Sequence, residues 1–521
     1  MADLVLRAGT VVDGTGAPGV RADVRLAGGR IVAVGPDLAQ KGDEIIACDG
    51  LVVAPGFIDT HSHSDLKLFD DPTLPMKIEQ GVTLEILGQD GISVAPVRRG
   101  SGAAETKKQM KGLLGDAKAA SWAWESVGDY LGALREAKTA PNMAYLVPHG
   151  TLRAYVMGAD NRAPTADELR DMEAVLAASL DAGAIGLSTG LIYPPCCYAE
   201  RAELTTLAKV AASRGGPLVV HMRSESDFIL DAIAEMVDVG ARAGCAIHIS
   251  HWKIAGPVNF ARATEVVAAV EAAQADGVKI TCDQYPYAAG STLLGAVLPP
   301  WAHDGGPTAC LERLRDAAAR TRMRQDMLAP PPQVWDNFWG WTGPKGIVIS
   351  DVASGRRPEL LGRTIADAAG DKDPIAWTMD LLRDEELGVG MISHSQSPTV
   401  VEELLTKPYV NVCTDGLLGG RPHPRAYGTY AKILGQHVRE RKQLALEEAI
   451  RKMTSQAARA MNLGHVGQLA PGFAADVVVF DAAEIRDRAT FEEPSQLAVG
   501  MKHVLVGGRP AAARGGRVVV R

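Results

Sequence analysis

A chain of 521 residues, 46% hydrophobic and 22% charged, has ordinary globular composition and enough length for a large core and more than one domain. Its net charge of -8 argues against a nucleic-acid partner, and the one arginine cluster (Arg313, Arg315, Arg320, Arg322, Arg324) lies among alanines and acids and reads as the solvated face of a helix. No apolar run approaches the roughly 20 residues of a membrane span, and seven cysteines, an odd count, argue against a disulfide framework.

Free thiols suit a reducing compartment. The start, Met1-Ala2-Asp3-Leu4-Val5-Leu6, lacks a basic stretch followed by a long apolar run. A cytoplasmic protein without a signal peptide or membrane partner is expected.

The first 55 residues are short β runs with glycine turns, at 3–7, 20–26, 30–34 and 44–48. The C-terminus repeats this texture at 476–480, 504–506 and 518–520. Neither end alone makes a convincing core. The expected arrangement is one β-sandwich built from 1–55 and 465–521, with 56–464 inserted as a separate domain. Gly14-Thr15-Gly16-Ala17-Pro18-Gly19 matches G-x-G-x-x-G, but Pro18 and another strand follow where a dinucleotide site needs a helix, so it reads as a hairpin turn.

In the middle, short apolar β runs alternate with alanine- and leucine-rich helical stretches such as 165–182 and 227–243. The runs lie at 82–87, 143–147, 184–188, 218–221, 246–251, 279–283, 388–393 and 410–415. This rhythm implies buried parallel strands and an α/β fold, a (β/α)8 TIM-like barrel whose active site lies at the C-terminal strand ends. Residues 98–138 read as a helical excursion. Residues 298–345 break the rhythm with Pro299-Pro300-Trp301, Pro330-Pro331-Pro332 and four of the eight tryptophans, Trp301, Trp335, Trp339 and Trp341. They read as an insertion over the barrel mouth, a lid.

Histidines occur where strands end. His61 and His63 close an apolar run that begins at Gly56, and residues i and i+2 of an extended chain project to one side, so both imidazoles can reach one metal ion. His221 and His251 close two further runs, and neutral imidazole is a common zinc ligand. Asp415 ends the last run, where a carboxylate can bind metal and take a proton from water. No lysine occurs between Lys138 and Lys209, so a carboxylated lysine after the fourth strand is not expected; Asp90, in Gln89-Asp90-Gly91, is the candidate bridge between two ions. His248, odd in phase with His251, is expected to face away. His149 and His394 fit either site contact or loop packing. The adjacent Cys196-Cys197 cannot form a C-x-x-C knuckle and read as loop cysteines, although one of them could displace Asp90 as the bridge. No Gly-x-Ser-x-Gly elbow supports a serine hydrolase.

Residues 55–63, Pro-Gly-Phe-Ile-Asp-Thr-His-Ser-His, resemble the opening of the amidohydrolase superfamily. The blocks at 186–195, 221–225, 249–253, 283–292, 423–428 and 471–476 resemble the N-acyl-D-amino-acid deacylase (D-aminoacylase) family. That resemblance implies zinc-dependent cleavage of an N-acyl bond on a D-amino acid, releasing a carboxylate and a free D-amino acid. It implies a tight Zn2+ on Asp90, His221 and His251, a weaker second metal near His61 and His63, and Asp415 as general base and acid. It also implies a substrate carboxylate held by Lys253, Tyr285 and Arg425, with Tyr193 close by. Arg425 has an independent rationale, since a guanidinium grips a carboxylate with two parallel hydrogen bonds. One departure stands out: family members carry cysteine in an Asn-Cys-Gly context where this chain has Gln89-Asp90-Gly91. A hard carboxylate tolerates Mn2+ or another divalent ion better than a soft thiolate does. The rival readings are a cyclic-amide hydrolase of the dihydroorotase or hydantoinase type, an isoaspartyl-dipeptidase-like enzyme, and a non-catalytic scaffold barrel. The only partner implied is the small-molecule substrate; the sequence leaves room for a homo-oligomer.

Overall fold

The structure, a computed structural model, describes residues 3–98, 100–115, 117–329 and 335–520. Pro330-Pro331-Pro332 therefore lies outside the described residues. Eight parallel strands form the barrel wall and pair in chain order: Phe57–Asp59, Val82–Leu87, Asn142–Pro148, Gly186–Gly190, Leu218–His221, Ile247–Ile249, Ile280–Gln284 and Val410–Val412. The first and eighth meet through a parallel bridge between Ser62 and Gly416 and a 2.8 Å bond from the Asp415 N–H to the His61 carbonyl.

Alternation along the strands divides the apolar side chains between two cores. Ile58, Leu84, Ile86, Ala144, Leu146 and Val219 meet inside the barrel, while Leu87, Tyr145, Val147, Leu187 and Val220 pack outward against the helices. The helices are locally specified. Ser126 with Asp129 and Thr165 with Glu168 form capping boxes at the starts of Val127–Ala137 and Ala166–Asp181. Helix Ile229–Ala243 buries Ile229, Ile233, Met236 and Val239 along one stripe.

One apolar run belongs to a different sheet from the one its texture suggests. Val389–Ser393, expected in the barrel, is the central strand of a three-stranded antiparallel sheet with Gly290–Leu293 and Ile347–Val352. A short apolar run does not reveal the direction of its partners, and the missing barrel strand is Phe57–Asp59. Residues 298–345 lie within this excursion between the seventh and eighth barrel strands, which has its own core around Leu294, Leu314, Met323, Ile349, Leu382 and Met391.

Both chain ends build one eight-stranded mixed sheet. It curls on itself: Ile31 donates to the Phe473 carbonyl at 2.9 Å, and Ala475 to Gly29 at 3.0 Å. Strand Val477–Phe480 is buried on both faces because it separates two cores. Val477 and Val479 join Leu6, Val24 and Val53, whereas Val478 and Phe480 join Phe57, Val412 and Tyr430 on the barrel. Gly14, at φ +87°, makes the expected hairpin turn between Leu4–Val11 and Val20–Ala27. Val518–Val520 depart from expectation: Val518 bridges Met143 of the third barrel strand, and Val519 packs with Ile58 and Leu84 beneath the barrel. Among the described residues, no helix is long and apolar enough to cross a membrane.

Candidate metal centre

The strand-end histidines and aspartates converge. His61 Nε2 and His63 Nε2 lie 3.2 Å apart. Each lies 3.5 Å from Asp90 Oδ2, and they stand 3.6 and 3.4 Å from Asp415 Oδ1. Zinc–nitrogen bonds of about 2.0–2.1 Å in tetrahedral geometry put neighbouring donors about 3.3 Å apart. These five separations therefore match the edges of one tetrahedral cage.

A second donor set shares Asp90. His221 Nδ1 and His251 Nε2 are 2.9 Å apart, and Asp90 Oδ1 is 4.0 Å from the first and 3.5 Å from the second. Asp90 Oδ1 is buried without a hydrogen-bond partner. One carboxylate thus turns one oxygen to each histidine pair. All donor atoms within each set lie within 4.8 Å of one another, and every residue is buried, so both sets fit a divalent ion. The second set has three protein donors and leaves a fourth position for water or substrate.

The backbone at these residues is unusual. Asp90, His251 and Asp415 have φ of +55°, +35° and +47°. Such left-handed residues are uncommon outside glycine and concentrate at functional sites. Around Asp90 the turn also needs its glycines. A Cβ on Gly88 would lie 2.2 Å from the Leu146 carbonyl oxygen, and one on Gly91 2.6 Å from Cys196 Sγ. The turn at His251 also explains why strand phase misplaces His248. The sixth strand stops at Ile249, and His248 points inward rather than away, bonding Thr281 at 2.8 Å and Asp283 at 2.9 Å.

Three buried charges that the sequence did not single out hold the set in place. Asp283 accepts the His251 N–H at 2.5 Å and the Thr60 hydroxyl at 2.7 Å. Glu225 Oε1 lies 3.0 Å from His251 Nδ1, and its two oxygens take the Lys253 ammonium at 2.8 and 2.9 Å. Burial pushes the Glu225 carboxyl up, but His221, Lys253 and His251 outweigh it and bring it down to about 2. Lys77 is fully buried and donates to Asp59 at 2.6 Å, Thr414 at 2.8 Å and Ser62 at 2.9 Å, with Glu85 at 3.2 Å. It ties the first, second and eighth strand ends together. Glu225 had a signal, four residues beyond a ligand-type histidine at a strand end; Lys77, on a one-turn helix, had none.

The two aspartates draw positive charge into the site, whether a proton or a metal ion. Burial lowers His63, but Asp415 and Asp90 lift it to about 9. Burial pushes His221 down to about 3, leaving its imidazole neutral and able to ligate. Burial raises the Asp415 carboxyl, but Arg425, His61 and His251 outweigh it and hold it well below the carboxylate range.

All four expected substrate contacts line the adjoining cavity, together with His63, Asp90, His221, His251 and Asp415. Arg425 Nη1 is 2.7 Å from Asp415 Oδ2, its guanidinium lies 4.4 Å from the centre of the Tyr285 ring, and its Nη2 donates to the Ser291 carbonyl at 2.9 Å. Its Nε, although buried, has no hydrogen-bond partner. The Tyr193 hydroxyl bonds Thr292 at 2.8 Å. Other sequence candidates lie elsewhere. His149 is bonded to Thr189 and Glu203 at 2.9 and 2.8 Å, and His394 is exposed. Cys196 is buried 3.8 Å from the Gly91 carbonyl, outside the cavity wall, and the residue common to both donor sets is Asp90.

A family profile described as "Amidohydrolase family" matches residues 44–512. The chain belongs to this family. It is 36% identical to an N-acyl-D-glutamate deacylase of Alcaligenes xylosoxydans xylosoxydans, with 100% of this chain and 96% of the relative covered. It is 34% identical to a D-aminoacylase of the same organism, with 98% and 94% covered. The crystal structure of an N-acyl-D-glutamate deacylase from Bordetella bronchiseptica superimposes with a TM-score of 0.84 at 34% identity, covering 100% of both chains. That structure contains zinc and a phosphonate inhibitor that mimics the tetrahedral intermediate.

Proposed function

We propose that this amidohydrolase is a metal-dependent deacylase that hydrolyses N-acyl-D-amino acids to a carboxylate and a free D-amino acid. The observation that carries the reading is Asp90, whose two oxygens face two histidine pairs beside a cavity lined by Arg425 and Lys253. In this reading His61, His63, Asp90, His221, His251 and Asp415 hold one or two divalent ions. Zinc is the first choice, and the carboxylate bridge also admits manganese. When bound, the metal supplies Lewis acidity to the scissile carbonyl and lowers the pKa of water.

The rest of the chemistry falls to side chains. Arg425, with Lys253 and Tyr285, takes the substrate carboxylate; the buried, unpartnered Arg425 Nε is a donor available for it. Tyr193 closes the cavity beside the amide. Asp415, kept ionised by Arg425, accepts a proton from the attacking water as the carbon–oxygen bond forms. It passes that proton to the amide nitrogen as the carbon–nitrogen bond breaks. In the same reading the described residues of 298–345 work as a lid, since Phe338 and Trp341 stand in the cavity wall, and seven unbridged cysteines suit the cytoplasm.

The test is a panel of N-acetyl-D- and N-acetyl-L-amino acids, hydantoins and dihydroorotate, each with zinc, manganese or chelator. Hydrolysis confined to N-acyl-D-amino acids and abolished by chelator is expected. Turnover of cyclic amides alone would overturn the reading.

A further inference from the structure

Three curated relatives are almost equally similar, at 36%, 34% and 34% identity; two are named for an acidic substrate, glutamate or aspartate, and the third is a D-aminoacylase. Similarity does not choose between an acidic and an uncharged side chain; the cavity does. Resting on the deacylase reading above, we propose that this chain takes substrates with uncharged apolar or aromatic side chains, and that Trp341 and Phe338 set this choice.

The argument begins with the supply of positive charge. Among the described residues, Lys253 and Arg425 are the only lysine or arginine side chains lining the cavity. Both oxygens of Glu225 already hold Lys253, and Asp415 is paired with Arg425. What these two cations have left is used by the α-carboxylate that every N-acyl amino acid carries. A glutamate or aspartate side chain brings a second carboxylate, which would be buried with only serine and threonine hydroxyls and no cation to pair with, at a cost in free energy. Lys108 does not supply one. It lines a different cavity, where it is bonded to Glu105 at 3.3 Å and Thr308 at 3.2 Å, and Tyr193 is the wall the two cavities share.

One side of the remaining wall is aromatic, beside uncharged Ser291, Thr292, Ser393 and Ser395. Phe338 and Trp341 lie three residues apart on helix Phe338–Gly346, with ring centres 4.5 Å apart and planes at 48°. Their electron-rich faces favour apolar groups and repel a carboxylate. The pair is firmly placed. The Asn337 side chain accepts the Gly340 N–H at 3.1 Å and donates to the Met327 carbonyl at 2.9 Å. Asp336 accepts from the Ser224 and Ser226 hydroxyls at 2.7 and 2.6 Å and from the Glu225 N–H at 2.8 Å. A Cβ on Gly256 would lie 3.1 Å from the Trp341 ring, so this glycine gives the indole its room. The aromatic wall is thus fastened to the loop carrying Glu225, which braces His251.

The experiment compares kcat/KM of the zinc-loaded full chain on N-acetyl-D-phenylalanine and N-acetyl-D-methionine with that on N-acetyl-D-glutamate and N-acetyl-D-aspartate. The apolar pair should exceed the acidic pair by ~100-fold or more. Trp341→Ala should cost N-acetyl-D-phenylalanine about 10-fold in kcat/KM with metal content unchanged, and Trp341→Lys should narrow the ratio by raising the acidic substrates. A wild-type preference for acidic substrates overturns this inference and leaves the deacylase reading intact. So does a ratio unmoved in both Trp341→Ala and Phe338→Ala. Failure to hydrolyse any N-acyl-D-amino acid overturns both. The wild-type ratio decides even if a variant does not fold.

Discussion

Glu225 stands behind His251, its Oε1 3.0 Å from the Nδ1 that faces away from the donor cluster. A carboxylate in that place fixes the ring's orientation and makes its other nitrogen a better ligand. The Glu225→Gln protein should fold normally and lose about 10- to 100-fold in metal affinity. Competition against a chromophoric chelator measures this; unchanged affinity would mean that Glu225 serves Lys253 alone.

Asp415 is expected to carry the proton between water and amine. Asp415→Asn keeps the shape and removes the base, so kcat should fall by about 10²- to 10⁴-fold with the circular-dichroism spectrum unchanged. Retention of more than a few per cent of activity by a folded variant would contradict the role.

Metal loading tests the bridge. Because Asp90 offers one oxygen to each histidine pair, dialysis against zinc or manganese should leave about two ions per chain, and Asp90→Cys should shift preference towards zinc. Elemental analysis reads both. One tight zinc and no second ion in the wild type would count against a bridging carboxylate.

Lys77 should matter for stability more than for chemistry. Lys77→Met leaves Asp59 and Glu85 buried without their cation, and breaking such a buried set costs about 3–5 kcal/mol. Thermal or denaturant unfolding measures the loss. A change below 1 kcal/mol would mean that water replaces the ammonium.

Asp336 gives stability a pH dependence with a definite sign. Burial, aided by the Glu225 charge, outweighs the hydrogen bonds to it and pushes its carboxyl up to about 7. The folded state therefore holds the proton more tightly than the unfolded chain. This contribution is complete below the unfolded value and is lost as pH rises through about 7. Relative to Asp336→Asn, the wild type should lose up to about 1.4 kcal/mol per pH unit over that window. Paired melting curves at pH 5 and pH 8 test it; a constant difference would show that the group does not titrate there.

Much of this architecture is legible in the sequence. Strand ends carrying His61, His63, His221, His251 and Asp415 could be found because strand and helix periodicities differ and because a barrel places chemistry at one rim. Asp90 was readable as a candidate bridge by its place after the second strand. Where reading failed, the reason was geometric. His248 was placed by extrapolating a two-residue period beyond Ile249, where the chain turns. The run at 388–393 has the texture of a barrel strand because composition does not encode its partners' direction. Lys77 gave no warning, since its neighbours in space come from segments far away in the chain, and Trp341 was legible only as one of four tryptophans in the insertion over the barrel mouth.

Beside the centre, the Asp415 N–H meets the His61 carbonyl at 2.8 Å and Ser62 pairs with Gly416. The place where the cylinder's two ends are stitched is thus also where its reactive groups gather. A chain that fails to close this wall would leave His61, His63 and Asp415 out of register with the other donors.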